Sequence, residues 1–260
     1  MDAEYIPYTK IVEQLPIHNG DILNVHSDVL ELAKICRNYG EKFEGDRFIQ
    51  SLQEAVGENG TLLFPTFNWD FCKGIAFDYH NTKGKSGALG NVALKMPGFK
   101  RTQHPIYSFA VWGKAQSVLL ALRNRSSWSN DSPFAYLHHN NGKVLIVGLP
   151  GVISTFVHYV EQMVGVDYRY HKNFCATYVD ENGCVDDRTY SIYVRDLEAD
   201  PQRISRDSLL GAMSVLGICT DFVVNGVPIH ILDLAGVFEV ISLEIQYNNA
   251  NNLYTFSKGK

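Results

Sequence analysis

The chain has 260 residues, of which 45% are hydrophobic and 20% charged, and its formal net charge is −5. This composition is typical of a soluble globular protein, and the negative charge argues against a nucleic-acid or membrane-surface binder. The five scattered cysteines contain no C-x-x-C, which argues against disulfides and a zinc site and predicts a reducing cytoplasm. We see no signal peptide and no apolar run long enough to span a membrane.

Strands and helices alternate in the first half of the chain. Asp28 and Glu31 have the spacing of a capping box, and Asp46 is placed to cap the next helix. The proline of the strand at 61–67 suggests a break or a sheet edge. The predicted strands are 22–26, 61–67, 109–112 and 143–148, and the predicted helices are 4–15, 28–39, 47–56, 91–96, 115–122 and one from Pro133.

Hairpins dominate the second half. Asn225-Gly226 between two apolar runs is a strong hairpin signal, and strand-like segments lie near 174–180 and 189–195. Asp233 is a cap for a last helix over 234–246, and the polar tail 247–260 is expected to be poorly held. No linker divides the chain, so we predict one domain over 1–260, a three-layer α/β/α fold with a central mixed sheet.

The stretch from Ser154 to Glu161 is the most suggestive part of the sequence. It follows a buried strand and the turn Pro150-Gly151, and Ser154 or Thr155 can cap a helix. Thr155, His158 and Glu161 then lie along one side of that helix, just past the carboxyl end of a strand, where α/β proteins tend to bind ligands. His158 and Glu161 are therefore either a catalytic pair or a buried pair that satisfies itself.

Three other segments have two interpretations each. Ser27 and Asp28 open a helix and could receive a phosphate, or Asp28 simply caps that helix. Arg101 and His104 suit phosphate recognition or form a solvated basic turn. The cluster Tyr168, Arg169, Tyr170 and His171 suits a sugar face or a planar ring, or it covers the core. The chain has no phosphate-loop, serine-hydrolase or dinucleotide-binding motif.

Several separated motifs together resemble the aminoglycoside 3-N-acetyltransferases and their relatives, the antibiotic N-acetyltransferase family. The matching positions, in order, are Gly20 to Ser27, Gly60 to Phe67, Gly87-Ala88-Leu89, Arg101 with His104-Pro105 and Ser108, Asp131-Ser132-Pro133, and Thr155 with His158 and Glu161. The chain departs from the family at Asp28, where many relatives have serine, and at Gly90-Asn91, where the family often has proline and glutamate.

The resemblance implies an acetyl-coenzyme A-dependent N-acetyltransferase without a metal. It makes His158 the general base and places Glu161 in the same pocket. The acceptor site is expected to include Glu161, Asp131, Tyr168 and Tyr170. The residues expected to bind the coenzyme are Ser27, Asp28, Thr66, Ser86, Gly87, Arg101, His104, Ser108 and Phe109.

The aromatic variant Phe156 to Glu161, followed by Asp167 to Tyr170, looks more like family members of bacterial polysaccharide biosynthesis. It suggests a nucleotide-linked amino sugar as the acceptor, and the alternative is an aminoglycoside antibiotic. Two other classes stay open: a non-catalytic sugar- or nucleotide-binding protein, and a metal-dependent hydrolase using His158 and Glu161 with a further histidine. The sequence leaves the oligomeric state open and allows a homodimer.

Overall fold

The computed structural model describes residues 4–150, 154–198, 201–204 and 206–256. A seven-stranded sheet forms its centre, in the order β10-β11-β6-β1-β2-β5-β4. Strands β1, β2 and β6 run parallel, and every other pair of neighbouring strands in this sheet is antiparallel. The bounds are β1 Ile22–Ser27, β2 Thr61–Pro65, β4 Lys100–Arg101, β5 Phe109–Gly113, β6 Lys143–Val147, β10 Cys219–Val224 and β11 Val227–Asp233.

Two smaller sheets and eight helices complete the described fold. Strands β3 (Phe77–Asp78), β7 (Arg169–Val179) and β8 (Val185–Arg195) form one sheet, and β9 (Pro201–Arg203) pairs with β12 (Tyr254–Phe256). The helices are α1 Leu30–Asn38, α2 Gly45–Val56, α3 Leu89–Ala93, α4 Gln116–Ala121, α5 Pro133–His139, α6 Phe156–Val164, α7 Asp207–Val215 and α8 Leu234–Asn248. None of these helices is long and apolar enough to cross a membrane.

The central sheet has a core on each face because its inner strands are apolar on both sides. In β6, Val144 and Ile146 pack in one core with α5, α6 and α8, whereas Leu145 and Val147 pack in the other with α2. Alternate residues of a strand point to opposite faces, so such a continuous apolar run requires cover on both sides. The predicted three-layer fold with a mixed sheet is confirmed.

Several local predictions need correction. Residues 4–15 form two short 3-10 turns rather than one helix. The capping box at α1 is absent: Asp28 accepts a hydrogen bond from the Leu30 amide, and Glu31 pairs with Lys34. Strand β2 is internal to the sheet and ends at Pro65, so of the two alternatives for this proline the break is correct and the sheet edge is wrong.

Up to residue 256, the tail packs more closely against the rest of the protein than its polar composition predicts. Tyr254 is fully buried, and β12 pairs with β9 at Tyr254 and Arg203. Strands β7 and β8 are also longer than expected and form a hairpin with eleven paired residues on each strand. This hairpin and β12 together bring the distant parts of the chain to helix α6.

Candidate active site

Helix α6 positions the histidine singled out in the sequence. Ser154 has φ +98°, and its hydroxyl accepts a hydrogen bond from the Phe156 amide, so this serine starts the helix. Thr155 is at the N-cap position but makes no side-chain capping bond. Phe156, Val157 and Val160 are fully buried and fix the helix to the core. His158 and Glu161 therefore occupy a rigid face.

His158 and Glu161 form a buried pair together with Arg169 at the start of β7. Nδ1 of His158 lies 2.6 Å from Oε2 of Glu161, and Nε of Arg169 lies 2.8 Å from the same oxygen. Nη2 of Arg169 lies 3.0 Å from Nδ1 of His158. The Tyr168 hydroxyl donates to Oε1 of Glu161 at 3.2 Å. The carboxylate thus lies between an imidazole and a guanidinium.

Glu161 stays ionised despite its burial. Burial alone raises the pKa of a carboxyl group, but the hydrogen bond with His158 and the charge of Arg169 lower the pKa of Glu161 below its usual value. A carboxylate 2.6 Å from Nδ1 holds a proton on that nitrogen. The nitrogen through which His158 can exchange a proton with a substrate is therefore Nε2.

A groove of about 370 Å3 borders His158. Aromatic and aliphatic side chains form most of its wall, and its charged residues are Lys73, Arg169 and Arg195. The described residues that line it include no carboxylate. Its other lining residues are Trp69, Cys72, Tyr107, Trp128, Phe174, Ile192, Tyr193 and Val194.

A second cleft, of about 460 Å3, lies at the carboxyl ends of β1 and β2. Four of the residues predicted to bind the coenzyme line it: Ser27, Asp28, Ser86 and Gly87. The Ser86 hydroxyl accepts a hydrogen bond from the Phe67 amide, which ties this loop to the end of β2. A Cβ at Gly90 would lie 2.2 Å from the Pro65 carbonyl oxygen, so glycine permits the close approach of α3.

A row of aromatic rings connects the cleft with the groove. The His26 ring, in the cleft wall, lies 6.5 Å from that of Phe67, and Phe67 lies 4.8 Å from Tyr107. Tyr107 is 4.9 Å from Trp128, which is 5.1 Å from His158. Phe67 is buried and lines neither cavity, so these rings link the two cavities through the core.

Three other predicted coenzyme residues belong to the core. Thr66, Ser108 and Phe109 are fully buried, and the Thr66 and Ser108 hydroxyls lie 2.8 Å apart. The Thr66 amide also donates to the Ser108 carbonyl. These contacts join the ends of β2 and β5, and none of the three residues lines the cleft.

Arg101 and His104 are buried as well, so the prediction of a solvated basic turn is wrong. The Arg101 guanidinium lies 5.1 Å from the Phe77 ring centroid and donates to the Tyr79 carbonyl, and burial lowers its pKa to about 10. Nδ1 of His104 accepts hydrogen bonds from the Ile106 and Tyr107 amides. Burial lowers the pKa of His104 to about 3, which makes a phosphate contact unfavourable.

The predicted acceptor residues divide into one that is buried beside Glu161 and two that lie away from the groove. Tyr168 is buried against Glu161 and orients it. Asp131 is exposed and accepts a hydrogen bond from Ser129, and Tyr170 is 49% exposed on β7. Neither Asp131 nor Tyr170 is among the residues that line the groove.

One group of three potential metal ligands occurs among the described residues, on the β10–β11 hairpin, and it does not include His158. Cys219, Asp221 and His230 place their ligand atoms within 4.8 Å of one another. Asp221 also accepts a hydrogen bond from Ser214. At His158, the carboxylate of Glu161 is already paired with Arg169, which disfavours the metal-dependent hydrolase.

Tyr254 is the residue of this site that sequence reasoning missed. Its hydroxyl accepts a hydrogen bond from Nη2 of Arg169 at 3.0 Å. Nη1 of Arg169 donates to the Tyr193 carbonyl, also at 3.0 Å. Arg169 itself was noticed only as part of a polar-aromatic cluster. Its position eight residues after Glu161 gives no periodic signal, because the helix ends between the two.

The fold and the site define a class of protein: a three-layer α/β protein with a buried histidine–carboxylate pair at the border of a groove and a second cleft at the carboxyl ends of β1 and β2. The sequence profile of the family "Aminoglycoside 3-N-acetyltransferase" matches residues 25–238. The chain therefore belongs to the aminoglycoside 3-N-acetyltransferase family.

Individual relatives agree with this membership. The chain is 28% identical over 122 residues to aminoglycoside N(3)-acetyltransferase IV of Salmonella sp, covering 46% of each chain. It is 30% identical over 173 residues to aminoglycoside N(3)-acetyltransferase VII of Streptomyces paromomycinus, covering 57% of each. The matches thus span about half the length of these relatives. The structure of AAC-IIIb in a binary complex with CoASH superimposes with a TM-score of 0.77 at 19% identity, covering 94% of this chain and 98% of the other.

Proposed function

We propose that the chain is an acetyl-coenzyme A-dependent N-acetyltransferase in which His158 is the general base. The observation that carries this proposal is the 2.6 Å contact between Nδ1 of His158 and Glu161 at the border of a groove. The cleft lined by Ser27, Asp28, Ser86 and Gly87 is the proposed coenzyme site. A row of packed aromatic rings links the wall of this cleft to His158.

The reaction is a direct transfer. The neutral acceptor amine attacks the thioester carbonyl, an N–C bond forms, and the amine proton moves to Nε2 of His158. Glu161 stabilises the imidazolium through Nδ1. The C–S bond then breaks, and the departing thiolate takes the proton from His158. Atoms and charge balance without a covalent enzyme intermediate.

For the acceptor, the named relatives favour an aminoglycoside over the nucleotide-linked amino sugar that the sequence suggested first. Both relatives reported above are aminoglycoside N(3)-acetyltransferases. Our primary proposal is therefore an amino group of an aminoglycoside-type amino sugar. None of these relatives supports a role in polysaccharide biosynthesis.

One observation favours a second candidate, an amino sugar that carries negative charge, such as a nucleotide-linked one. Lys73 and Arg195 line the groove, and none of its described lining residues is a carboxylate. An aminoglycoside carries several ammonium groups, and binding them without nearby carboxylates costs desolvation and repulsion. A phosphorylated acceptor would instead gain from these cations.

The test is thiol release from acetyl-coenzyme A with two sets of acceptors, aminoglycosides and nucleotide-linked amino sugars. Turnover of either set supports the acetyltransferase and identifies its acceptor. Calorimetry with coenzyme A separates this function from a non-catalytic binding protein. No turnover with any amine and no coenzyme binding would exclude the proposed function.

A further inference from the structure

Arg169 uses all three of its guanidinium nitrogens inside the site. Nε faces Glu161 at 2.8 Å, Nη1 donates to the Tyr193 carbonyl at 3.0 Å, and Nη2 donates to the Tyr254 hydroxyl at 3.0 Å. Its side chain is only 4% exposed. Three separate elements, α6, β8 and β12, therefore fix its position. Such a buried guanidinium cannot rotate away without losing several bonds at once.

The guanidinium disfavours the charged form of His158 in two ways. Arg169 neutralises Glu161, so the carboxylate attracts a second positive charge less strongly than it would alone. Nη2 also lies 3.0 Å from Nδ1 of His158, and a permanent cation at this distance opposes the charged form of the ring. An isolated buried Glu–His pair would instead favour imidazolium, which cannot accept a proton.

The other groups around His158 and Arg169 either also disfavour the charged form of His158 or do not affect it. Glu161 is a carboxylate in contact with His158, and none of the described residues that line the groove is a carboxylate. Burial raises the pKa of Tyr168, Tyr254, Tyr193 and Cys72, which keeps them neutral at pH 7. The remaining ionisable residues that line the groove are Tyr107, Lys73 and Arg195, of which the last two are cations.

We propose that Arg169 is a positioning residue that keeps His158 neutral in the resting protein and, through Glu161, holds the ring with its proton on Nδ1. Nε2 is then ready to accept the proton of the acceptor amine. This role rests on the proposed function, in which His158 is the base. In this mechanism Arg169 acts through Glu161 and His158 and not on the reacting atoms.

The test is an NMR titration of the His158 ring protons, assigned by comparison with His158→Gln. In the wild-type protein we expect a midpoint at or below about 6.5, the ordinary value for imidazole. A wild-type midpoint above about 7 would overturn the proposal without any variant of Arg169. This measurement needs no acceptor, so it stays informative if the proposed acetyl transfer fails.

The variants sharpen the test. Arg169→Met removes the charge and keeps the stem, and we expect the midpoint to rise by about one pH unit. Arg169→Lys keeps the charge and should restore at least half of this difference. Arg188→Met is the matched control, because Arg188 is on the same hairpin but contacts Asp186 and the Tyr178 ring. An unchanged midpoint in a folded Arg169→Met would show that Arg169 is only structural.

Activity provides the second readout. If the enzyme turns over an amine, the acidic limb of its kcat/KM profile should move upward in Arg169→Met together with the NMR midpoint. Turnover without any movement of the limb contradicts the inference and leaves the proposed function intact. A moved midpoint with no turnover of any amine contradicts the proposed function instead.

Discussion

Two buried histidines lie on either side of the Tyr107–Trp128 ring pair, and their surroundings differ. The His104 ring is 6.3 Å from Tyr107, and the His158 ring is 5.1 Å from Trp128. His104 meets backbone amides and the Ser127 hydroxyl, whereas His158 meets a carboxylate and a guanidinium. Burial with only neutral partners makes an imidazole a structural hydrogen-bond acceptor. Burial beside charged groups makes it a group that can gain and lose a proton.

The largest difference between the two histidines should appear in catalysis. We expect His158→Gln to lower kcat by roughly 10²- to 10⁴-fold, because it removes the general base. Its melting temperature should stay close to that of the wild type, and it should still bind coenzyme A. His139→Gln is the matched control, since His139 is exposed at the end of α5. Normal turnover by His158→Gln would exclude His158 as the base.

His104 should instead affect stability. Leucine there leaves the Ile106 and Tyr107 amides without their acceptor, so His104→Leu should lower the free energy of unfolding by about 1–3 kcal/mol. Urea denaturation measures this loss. His104→Asn keeps an acceptor oxygen and should lose less. Equal losses in both variants would contradict the role assigned to Nδ1.

The surroundings of His104 and of His158 should also differ in how acid affects the free energy of unfolding. The pKa of His104 falls from 6.5 to about 3 on folding, so between these values the unfolded chain binds the extra proton. The stability due to the neutral ring is present above pH 6.5 and is lost as the pH falls towards 3. The loss amounts to at most about 1.4 kcal/mol per pH unit.

Urea titrations at several pH values check this expectation. His26 contributes in the same direction, because burial lowers its pKa to about 4. The pH dependence should therefore be flatter, but not absent, in His104→Asn. An unchanged slope in that variant would show that His104 is protonated in the folded protein.

The smallest effect is expected for Tyr254, which contacts Arg169 at the edge of the site. Tyr254→Phe removes the hydroxyl that accepts a hydrogen bond from Arg169, and it should lower the free energy of unfolding by about 0.5–1.5 kcal/mol. Arg169 keeps its contacts with Glu161 and Tyr193, so His158 should stay in place. A loss of kcat as large as that of His158→Gln would show that Tyr254 contacts the reacting groups.

Local sequence signals predicted most strands of the central sheet and helix α6, because the interactions that define them are local. Strand β6 is an apolar run, Asp233 caps its helix as expected, and Asn225-Gly226 forms the hairpin turn. The spacing of His158 and Glu161 on one helix also correctly predicted that they lie on the same side of it. Helix α7 was missed because it is apolar without a clear stripe and contains Gly211.

Nonlocal contacts explain what the sequence did not reveal. Arg169 and Tyr254 are 85 residues apart and meet only through β7 and β12. Arg101 and His104 look like a solvated basic turn because nothing local indicates that Phe77 and Tyr190 will cover them. Most of their hydrogen bonds go to the backbone, which leaves no pattern in the residue types around them.

The position of Tyr254 has a consequence for how the protein is made. The profile of the family ends its match at residue 238, yet the guanidinium beside His158 is held in part by a hydroxyl sixteen residues further along. During synthesis, α6 and the β7–β8 hairpin leave the ribosome well before β12 does. The complete set of bonds around Arg169 therefore forms only after translation has passed Tyr254.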